Sequence, residues 1–423
     1  METISCPALL VSAPASGQGK TLTTAALARA WRNRGFKVRA FKSGPDFLDP
    51  MVLEKATGQP VFNLDLDMCG EQDCLAKLYQ AAQEADVIIV EGVMGLHDGS
   101  PSSADIAARF AIPVLVTIDA SAMAQTFAAV ALGLFSYRPE IKVAGVIANK
   151  IGGPGHVQML RNCLPNNIPW QGALPMDETY TFPERHLGLF RASEIDNLDD
   201  RIEAAARALG SSSELPLPPV VTFNKPIGSQ IPPLLSGKTI AIARDEAFYF
   251  IYPANLSCLQ ALGASLKFFS PLYDKTLPEA DAYWLPGGYP ELHTKAIAEN
   301  TTMHKALQTA FSKQKPILAE CGGMMALSQS IDNQSAFGLL PGESHMQIKL
   351  QGLGTQHLEL EQGKLSAHTF HYGRLDTSLS PTGIAETRFG NGEAYYKHGS
   401  IKASFMHFYF SSNPSATAGL FLP

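Results

Sequence analysis

In the first half of the chain, apolar positions fall into short, nearly unbroken runs. Longer stretches between them carry apolar residues every three or four positions. Residues 8–12 (ALLVS), 37–41 (KVRAF), 87–91 (VIIVE), 114–118 (VLVTI) and 143–148 (VAGVIA) are runs of the first kind. Runs without polar alternation predict strands covered on both faces. Residues 21–34, 71–84 and 122–135 have the spacing of amphipathic helices. Strands and helices in alternation predict a parallel sheet flanked by helices.

Between residues 210 and 238 the periodicity fades. Serines at 211–213 are followed by Pro216, Pro218, Pro219, Pro226, Pro232 and Pro233, which predicts an extended, partly packed connector. A second α/β pattern opens at 239–243 (TIAIA) and continues through 266–269, 282–285 and 316–319. The expected organisation is therefore one domain over 1–210, a linker over 211–237 and a second α/β domain over 238–423. No internal repeat or low-complexity tract interrupts it.

Composition narrows the classes. A chain of 423 residues is long for one compact domain, and 45% hydrophobic residues supply ample material for two cores. The formal charge of −6 argues against general affinity for nucleic acid or anionic membranes. Six cysteines without metal-ligand spacing do not form a disulfide framework, and no segment is apolar enough to span a bilayer. A cytoplasmic protein is expected.

Chemistry enters at residues 9–24, LLVSAPASGQGKTLTT. An apolar strand leads into a loop of small residues ending Gly19-Lys20-Thr21, and a helix follows. Small residues let backbone N–H groups approach phosphate oxygens, and a helix N-terminus favours the anion. Ser16, Gly17 and Gly19 would line this phosphate-binding loop. Lys20 would reach the terminal phosphates and Thr21 would hold Mg²⁺. Pro14 stands where the usual pattern has its first glycine. Glu91 ends an apolar strand, where ligands of open α/β sheets gather and where a carboxylate can hold Mg²⁺. The segment 41–50 (FKSGPDFLDP) would display Lys42, Asp46 and Asp49 on a Gly-Pro turn beside the second strand.

AxxSGxGKT, FKxGPDFxDP and VEGxMGLxDG, in this order, resemble the synthetase domain of cobyrinic acid a,c-diamide synthases. The segment 184–189 (ERHLGL) is similar to a recurrent stretch of that family. The domain is related to dethiobiotin synthetase, whose loop also departs from the usual first glycine. The resemblance implies that Lys20, Thr21, Lys42, Asp46 and Glu91 surround ATP and Mg²⁺, with Asp46, Phe47 and Asp49 in a substrate loop. It also implies that Asn149 contacts the nucleotide base.

In the second half, residues 316–327 (PILAECGGMMAL) run from an apolar strand into Cys321-Gly322-Gly323 and an apolar helical segment. That pattern predicts a nucleophile elbow, with the following helix N-terminus lowering the thiol pKa. Residues 283–291 (YWLPGGYPE) end another strand in a Gly-Gly turn, whose N–H groups suit an oxyanion hole. Residues 403–414 (ASFMHFYFSSNP) contain one imidazole, His407, a candidate base for Cys321.

Together these segments resemble a class I glutamine amidotransferase domain. Gly287, Gly288 and Gly322 are then expected to form the oxyanion and glutamine site. The usual third member, a Glu two residues past the histidine, is replaced by Tyr409, a departure that the cobyrinic-type enzymes share. His368 and His371 are read as structural or substrate-facing.

The implied reaction is ATP-dependent phosphorylation of a tetrapyrrole carboxylate, followed by amidation with ammonia from glutamine, in cobalamin biosynthesis. Expected partners are a tetrapyrrole polycarboxylate, glutamine and ATP, with a homodimer admitted and with neither nucleic acid nor membrane. Alternatives are a cobyric acid synthase-type enzyme, a nickel-sirohydrochlorin amidotransferase, a partitioning-type P-loop ATPase, and a regulatory protein with an inactive glutaminase half. Against the partitioning type, Ala15 occupies the position of its signature lysine.

Overall fold

Strands that are apolar on both faces need helices on both sides, and the first part of the chain satisfies that need. The computed structural model describes residues 2–423 except 183, 186–187, 190–191, 213–214 and 229–230. The chain divides into two units, Met1–Ile227 and Gly228–Pro423.

In the first unit, strands β1 (Thr3–Ser12), β2 (Val38–Ser43), β3 (Phe62–Leu64), β4 (Val87–Glu91), β5 (Val114–Asp119), β6 (Val143–Ile151) and β7 (Trp170–Pro175) form a parallel sheet. Their order is β3-β2-β4-β1-β5-β6-β7. On one side of β1 the chain lays down β2 and β3 and returns with β4 between β2 and β1, then crosses to β5 on the other side. The carboxyl ends of β1, β4 and β5 therefore flank the switch point, where such sheets hold ligands. Ile88, Ile89 and Val90 are completely buried, as the unbroken apolar run requires. The helix Lys20–Asn33 contributes Ala25, Ala28 and Trp31 to the same core.

Two differences from the sequence reading have local causes. The helix expected over 122–135 is Thr126–Ser136, because the residues before it turn back on themselves. Met123 N–H bonds the Ala120 carbonyl and Phe127 N–H the Ala124 carbonyl. Within the expected connector, Val220–Asn224 forms a strand antiparallel to the start of β1, with Thr3 opposite Asn224. It buries Val221 and Phe223 alternately, a period of two that the flanking prolines conceal. In the 184–189 segment, Glu184–Arg185 pairs with Gly188–Leu189, and residues 186–187 lie outside the described residues.

The second unit also begins as a parallel sheet. Thr239–Ala243, Ser265–Phe269, Ala282–Leu285 and Ile317–Glu320 run parallel and are joined by Ile401–Ser404 beside Ile317–Glu320. The sheet then continues antiparallel through Gly390–His398, Gly383–Thr387, Gly352–Leu360 and Gly363–His371 to His407–Phe408. This half of the sheet was not anticipated. Its strands alternate polar and apolar residues and carry His, Glu and Lys, so they lack the dense apolar runs of the parallel half. Among the described residues no helix is long and apolar enough to cross a membrane.

Candidate active sites

β1 hands the chain to the loop 13–19, and the helix Lys20–Asn33 starts at once. Gly19 has φ +89°, and a side chain there would collide with Asn149. Both facts require glycine. Asn149, at the end of β6, donates through Nδ2 to the Gln18 carbonyl at 3.0 Å. Gln18 in turn accepts from Asp119 N–H at 2.9 Å. The structure thus places Asn149 under the loop as a brace. Ser16 and Gly17 lie on the outer side of this loop, with open space beside Gly17.

Lys20 is nearly buried and donates to the Ala15 carbonyl at 3.0 Å. Burial, with Lys42 nearby, lowers its pKa below the ordinary value. Thr21 donates its hydroxyl to Glu91 Oε1 at 2.7 Å. Lys42 Nζ reaches the same oxygen at 3.0 Å, Asp49 at 2.5 Å and Asp46 at 3.2 Å. Burial alone would lower the Lys42 pKa, but these three carboxylates hold it well above its ordinary value. Glu91 is fully buried, and burial raises it to about 7 against the pull of Lys42.

The loop 41–50 is therefore organised inward. Asp49 sits in the first turn of helix Leu48–Thr57 and serves as a Lys42 partner, Phe47 precedes that helix, and Asp46 remains half-exposed. Asn63 on β3 ties the loop down by donating to the Gly44 and Asp46 carbonyls at 2.8 and 3.0 Å. The sequence reading did not single out Asn63. One amide in a short strand carries no signal of its own.

The oxygen donors present suit Mg²⁺, a hard cation that takes carboxylate, hydroxyl and phosphate oxygens. Glu91 Oε2 and Ser12 Oγ are both buried at this end of the sheet without a hydrogen-bond partner among the described residues. A hydrated cation would satisfy such atoms, so Thr21 and Glu91 fit the ion. Among the described residues no cluster of three or more His, Cys, Asp or Glu is arranged to hold a metal.

The second site is built by close backbone packing. Cys321 lies between strand Ile317–Glu320 and helix Gly322–Leu327 with φ +47° and ψ −110°. A non-glycine residue in that region stores on the order of 1–3 kcal/mol and needs its surroundings to hold it. Here the Cys321 N–H donates to the Ser404 carbonyl at 2.7 Å, and its carbonyl accepts from Met325 N–H at 3.0 Å. A Cβ added at Gly287 would overlap the His407 ring and lie 3.3 Å from Cys321 Cβ. Cys321, His407 and Gly287 therefore converge on one point. Gly322 sits against the Gly288 backbone, so closely that a Cβ on Gly322 would lie 2.8 Å from the Gly288 carbonyl oxygen.

The electrostatics differ from expectation. The helix N-terminus predicted a lowered thiol pKa, yet burial pushes Cys321 well above its ordinary value and the charge of Glu291 adds to this. The Gly322 N–H pulls the other way and does not win. The helix is short, Gly322–Leu327, and the thiol is almost wholly enclosed. Burial, helped by His368 and His371, lowers His407 to about 3, so its imidazole is neutral.

His368 is the strand partner of His407 and is itself lowered to about 4 by burial. His371 bonds Glu393 and the Gly373 carbonyl, both at 2.8 Å, and stacks on Phe405. Tyr409 packs in the core against Tyr252. Glu320 was overlooked. It is buried, accepting from Trp284 Nε1–H and Phe408 N–H, each at 3.0 Å, and burial raises it to about 8. An acid closing the apolar run ILAE was the available signal, the same one that marked Glu91 in VIIVE.

Comparison with known proteins finds one family model in each unit. Residues 9–189 match the CobQ/CobB/MinD/ParA nucleotide binding domain, and residues 239–415 match the CobB/CobQ-like glutamine amidotransferase domain. The chain is thus an amide-forming ligase that joins a nucleotide-binding domain to a glutamine amidotransferase domain. It is 51% identical over 430 residues to the hydrogenobyrinate a,c-diamide synthase of Stutzerimonas stutzeri, with 100% of each chain covered. It is 48% identical to the protein of that name from Pseudomonas aeruginosa, covering 99% of this chain and 98% of the relative. It is also 48% identical to the cobyrinate a,c-diamide synthase of Herminiimonas arsenicoxydans, covering 100% and 98%. The chain belongs to the cobyrinate and hydrogenobyrinate a,c-diamide synthase family.

Proposed function

We propose that the chain converts the a- and c-carboxylates of hydrogenobyrinate, or of its cobalt counterpart cobyrinate, into amides at the expense of ATP and glutamine. In this reading residues 1–210 carry the synthetase, residues 238–423 the glutaminase, and residues 211–237 join them. The observation that carries it is the convergence of Cys321, His407 and Gly287 in a chain that also presents Lys20, Thr21 and Glu91 at a sheet's switch point.

A substrate carboxylate oxygen attacks the γ-phosphorus of ATP, releasing ADP and leaving an acyl phosphate. The loop N–H groups from Ser16 to Thr21 cradle the phosphates, and Lys20 and Lys42 balance charge as it moves to the leaving oxygen. Mg²⁺, when bound, would neutralise phosphate charge, with Thr21 and Glu91 as its protein ligands. Asp46 and Phe47 face the tetrapyrrole. Asn149 holds the loop in shape and lies beside the base.

In the glutaminase, the neutral His407 takes the thiol proton as the Cys321 sulfur attacks the glutamine amide carbon. The resulting imidazolium gives that proton to the departing nitrogen, so ammonia leaves and a glutamyl thioester remains. The N–H groups of Gly287, Gly288 and Gly322 stabilise the oxyanion. Water, with His407 as base, releases glutamate. Ammonia then attacks the acyl phosphate carbon, and phosphate leaves. We place this chemistry in the cytoplasm, where all six free thiols stay reduced.

The test is mass spectrometry of the protein incubated with hydrogenobyrinic acid, ATP, Mg²⁺ and glutamine, the metal-free substrate coming first because two of the relatives above bear its name. Two successive mass losses of about one unit, each needing ATP, are expected for acid-to-amide conversion. Diamide formation from cobyrinic acid alone would move the assignment to the cobalt form. No amide from either, with no glutamate released from glutamine, would overturn the proposal.

A further inference from the structure

The position that usually orients the base is taken by Tyr409, which is buried against Tyr252. Something else must fix His407. The residue that follows it, Phe408, has both backbone groups held by buried side chains. Its N–H donates to Glu320 Oε1 at 3.0 Å, and its carbonyl accepts from Asn255 Nδ2 at 2.8 Å. Asn255 Oδ1 also accepts from Phe410 N–H at 2.8 Å. The second Glu320 oxygen is anchored by Trp284 Nε1–H at 3.0 Å. Glu320 and Asn255 are each 1% exposed.

Glu320 is covalently next to Cys321, and its bonded partner Phe408 is covalently next to His407. The backbone of strand Ile317–Glu320 pairs with Ile401–Ser404, whereas His407–Phe408 pairs with Gly363–His371. Nucleophile and base therefore stand on strands that are not neighbours in the sheet, and the Glu320 side chain spans the gap.

We infer that Glu320 is a positioning residue for glutamine hydrolysis: with Asn255, it clamps Phe408 and so sets His407 against Cys321. The role rests on the reading of Cys321 and His407 as the glutaminase pair. Both carboxylate oxygens accept N–H donors, so glutamine cannot replace the acid cleanly. Its amide oxygen can serve Phe408 only if its NH₂ faces the Trp284 N–H. Removing that second donor should relieve the conflict.

The experiment compares Glu320→Gln, Trp284→Phe and the double variant, with His407→Asn as a benchmark, in the full-length chain. Glutamine-driven amidation, ammonia-driven amidation, and the rate of Cys321 alkylation by iodoacetamide at fixed pH are measured. Glu320→Gln is expected to lower glutamine-driven kcat by about 100-fold, the cost of an ångström-scale misplacement. KM for glutamine and ammonia-driven amidation should stay within about two-fold, and the alkylation rate should fall toward that of His407→Asn. The double variant is expected to recover about ten-fold of the loss, because the amide oxygen then keeps Phe408 unopposed.

A Glu320→Gln kcat within about two-fold of the parent would overturn the inference, as would an unchanged alkylation rate or no recovery in the double variant. If Glu320→Gln does not fold, Trp284→Phe decides alone. A kcat loss of about three-fold or more with a slowed alkylation rate supports the clamp, and unchanged values for both overturn it. Glutamine-driven activity surviving in Cys321→Ala would instead sink the underlying site reading.

Discussion

Two apolar strands in this molecule end in a buried glutamate, and the two acids live in opposite surroundings. Glu91 closes VIIVE among charges. It shares Lys42 with Asp46 and Asp49, accepts the Thr21 hydroxyl, and keeps one oxygen without a partner among the described residues. Glu320 closes ILAE among neutral groups, with each oxygen matched to one N–H. The first acid has spare capacity for a cation. The second has both oxygens already engaged, and is suited to holding backbone in place. Burial of an acid is one signal, and the company it keeps decides whether it binds a ligand or braces a neighbour.

The contrast extends to the whole of each site. The phosphate site is governed by charge, whereas the cysteine site is governed by shape and by neutral, buried groups. The largest expected effect follows from Cys321, the proposed nucleophile. Cys321→Ala should lower glutamine-driven amidation by about 10⁴-fold or more while ammonia-driven amidation persists. Loss of both rates together would show that the sites cannot be separated in this way.

Lys20→Ala should lower both the glutamine- and the ammonia-driven rates by about 10²- to 10³-fold, because charge balance on the phosphates is common to both. Gly287→Ala puts a methyl into the His407 ring. It should lower glutamine hydrolysis by about 100-fold and stability by about 1–3 kcal/mol, read from kinetics and denaturant melts.

A pH profile sharpens the electrostatic side of the comparison. His407, lowered to about 3, is neutral in the fold, whereas a free histidine protonates near 6.5. The acid limb of glutamine hydrolysis should therefore show no inflection near 6.5 and begin well below it. The unfolded chain binds more protons in that window, so the contribution of His407 to stability is complete above 6.5 and is lost as pH falls toward 3. The smallest effect is expected from Asn149→Ala. Removing the brace under Gln18 should raise KM for ATP by about ten-fold, equivalent to a lost buried hydrogen bond of about 1–1.5 kcal/mol.

Legibility followed the same division. The central parallel strands of both sheets were readable because their runs are apolar throughout, whereas the parallel strands Phe62–Leu64, Trp170–Pro175 and Ile401–Ser404 were missed. The antiparallel half of the second sheet was not, since Gly352–Leu360 and Gly363–His371 alternate with polar residues that read as loop. Lys20, Thr21, Lys42 and Glu91 were legible because charge beside turn residues stands out. Asn63 and Asn255 were not, because a buried amide looks in sequence like any surface one. The direction of the Cys321 shift was missed for a related reason: a helix terminus can be read from a string of letters, but the depth of burial that overrules it cannot.

That burial has a consequence for how the protein ages. Peroxides attack the thiolate, and a cysteine held protonated and enclosed offers almost none of it. Cys321 is thus expected to react slowly with oxidants and alkylating agents at rest, and faster once His407 draws off its proton. The enclosure that slows spontaneous attack by Cys321 would shield it from such damage as well.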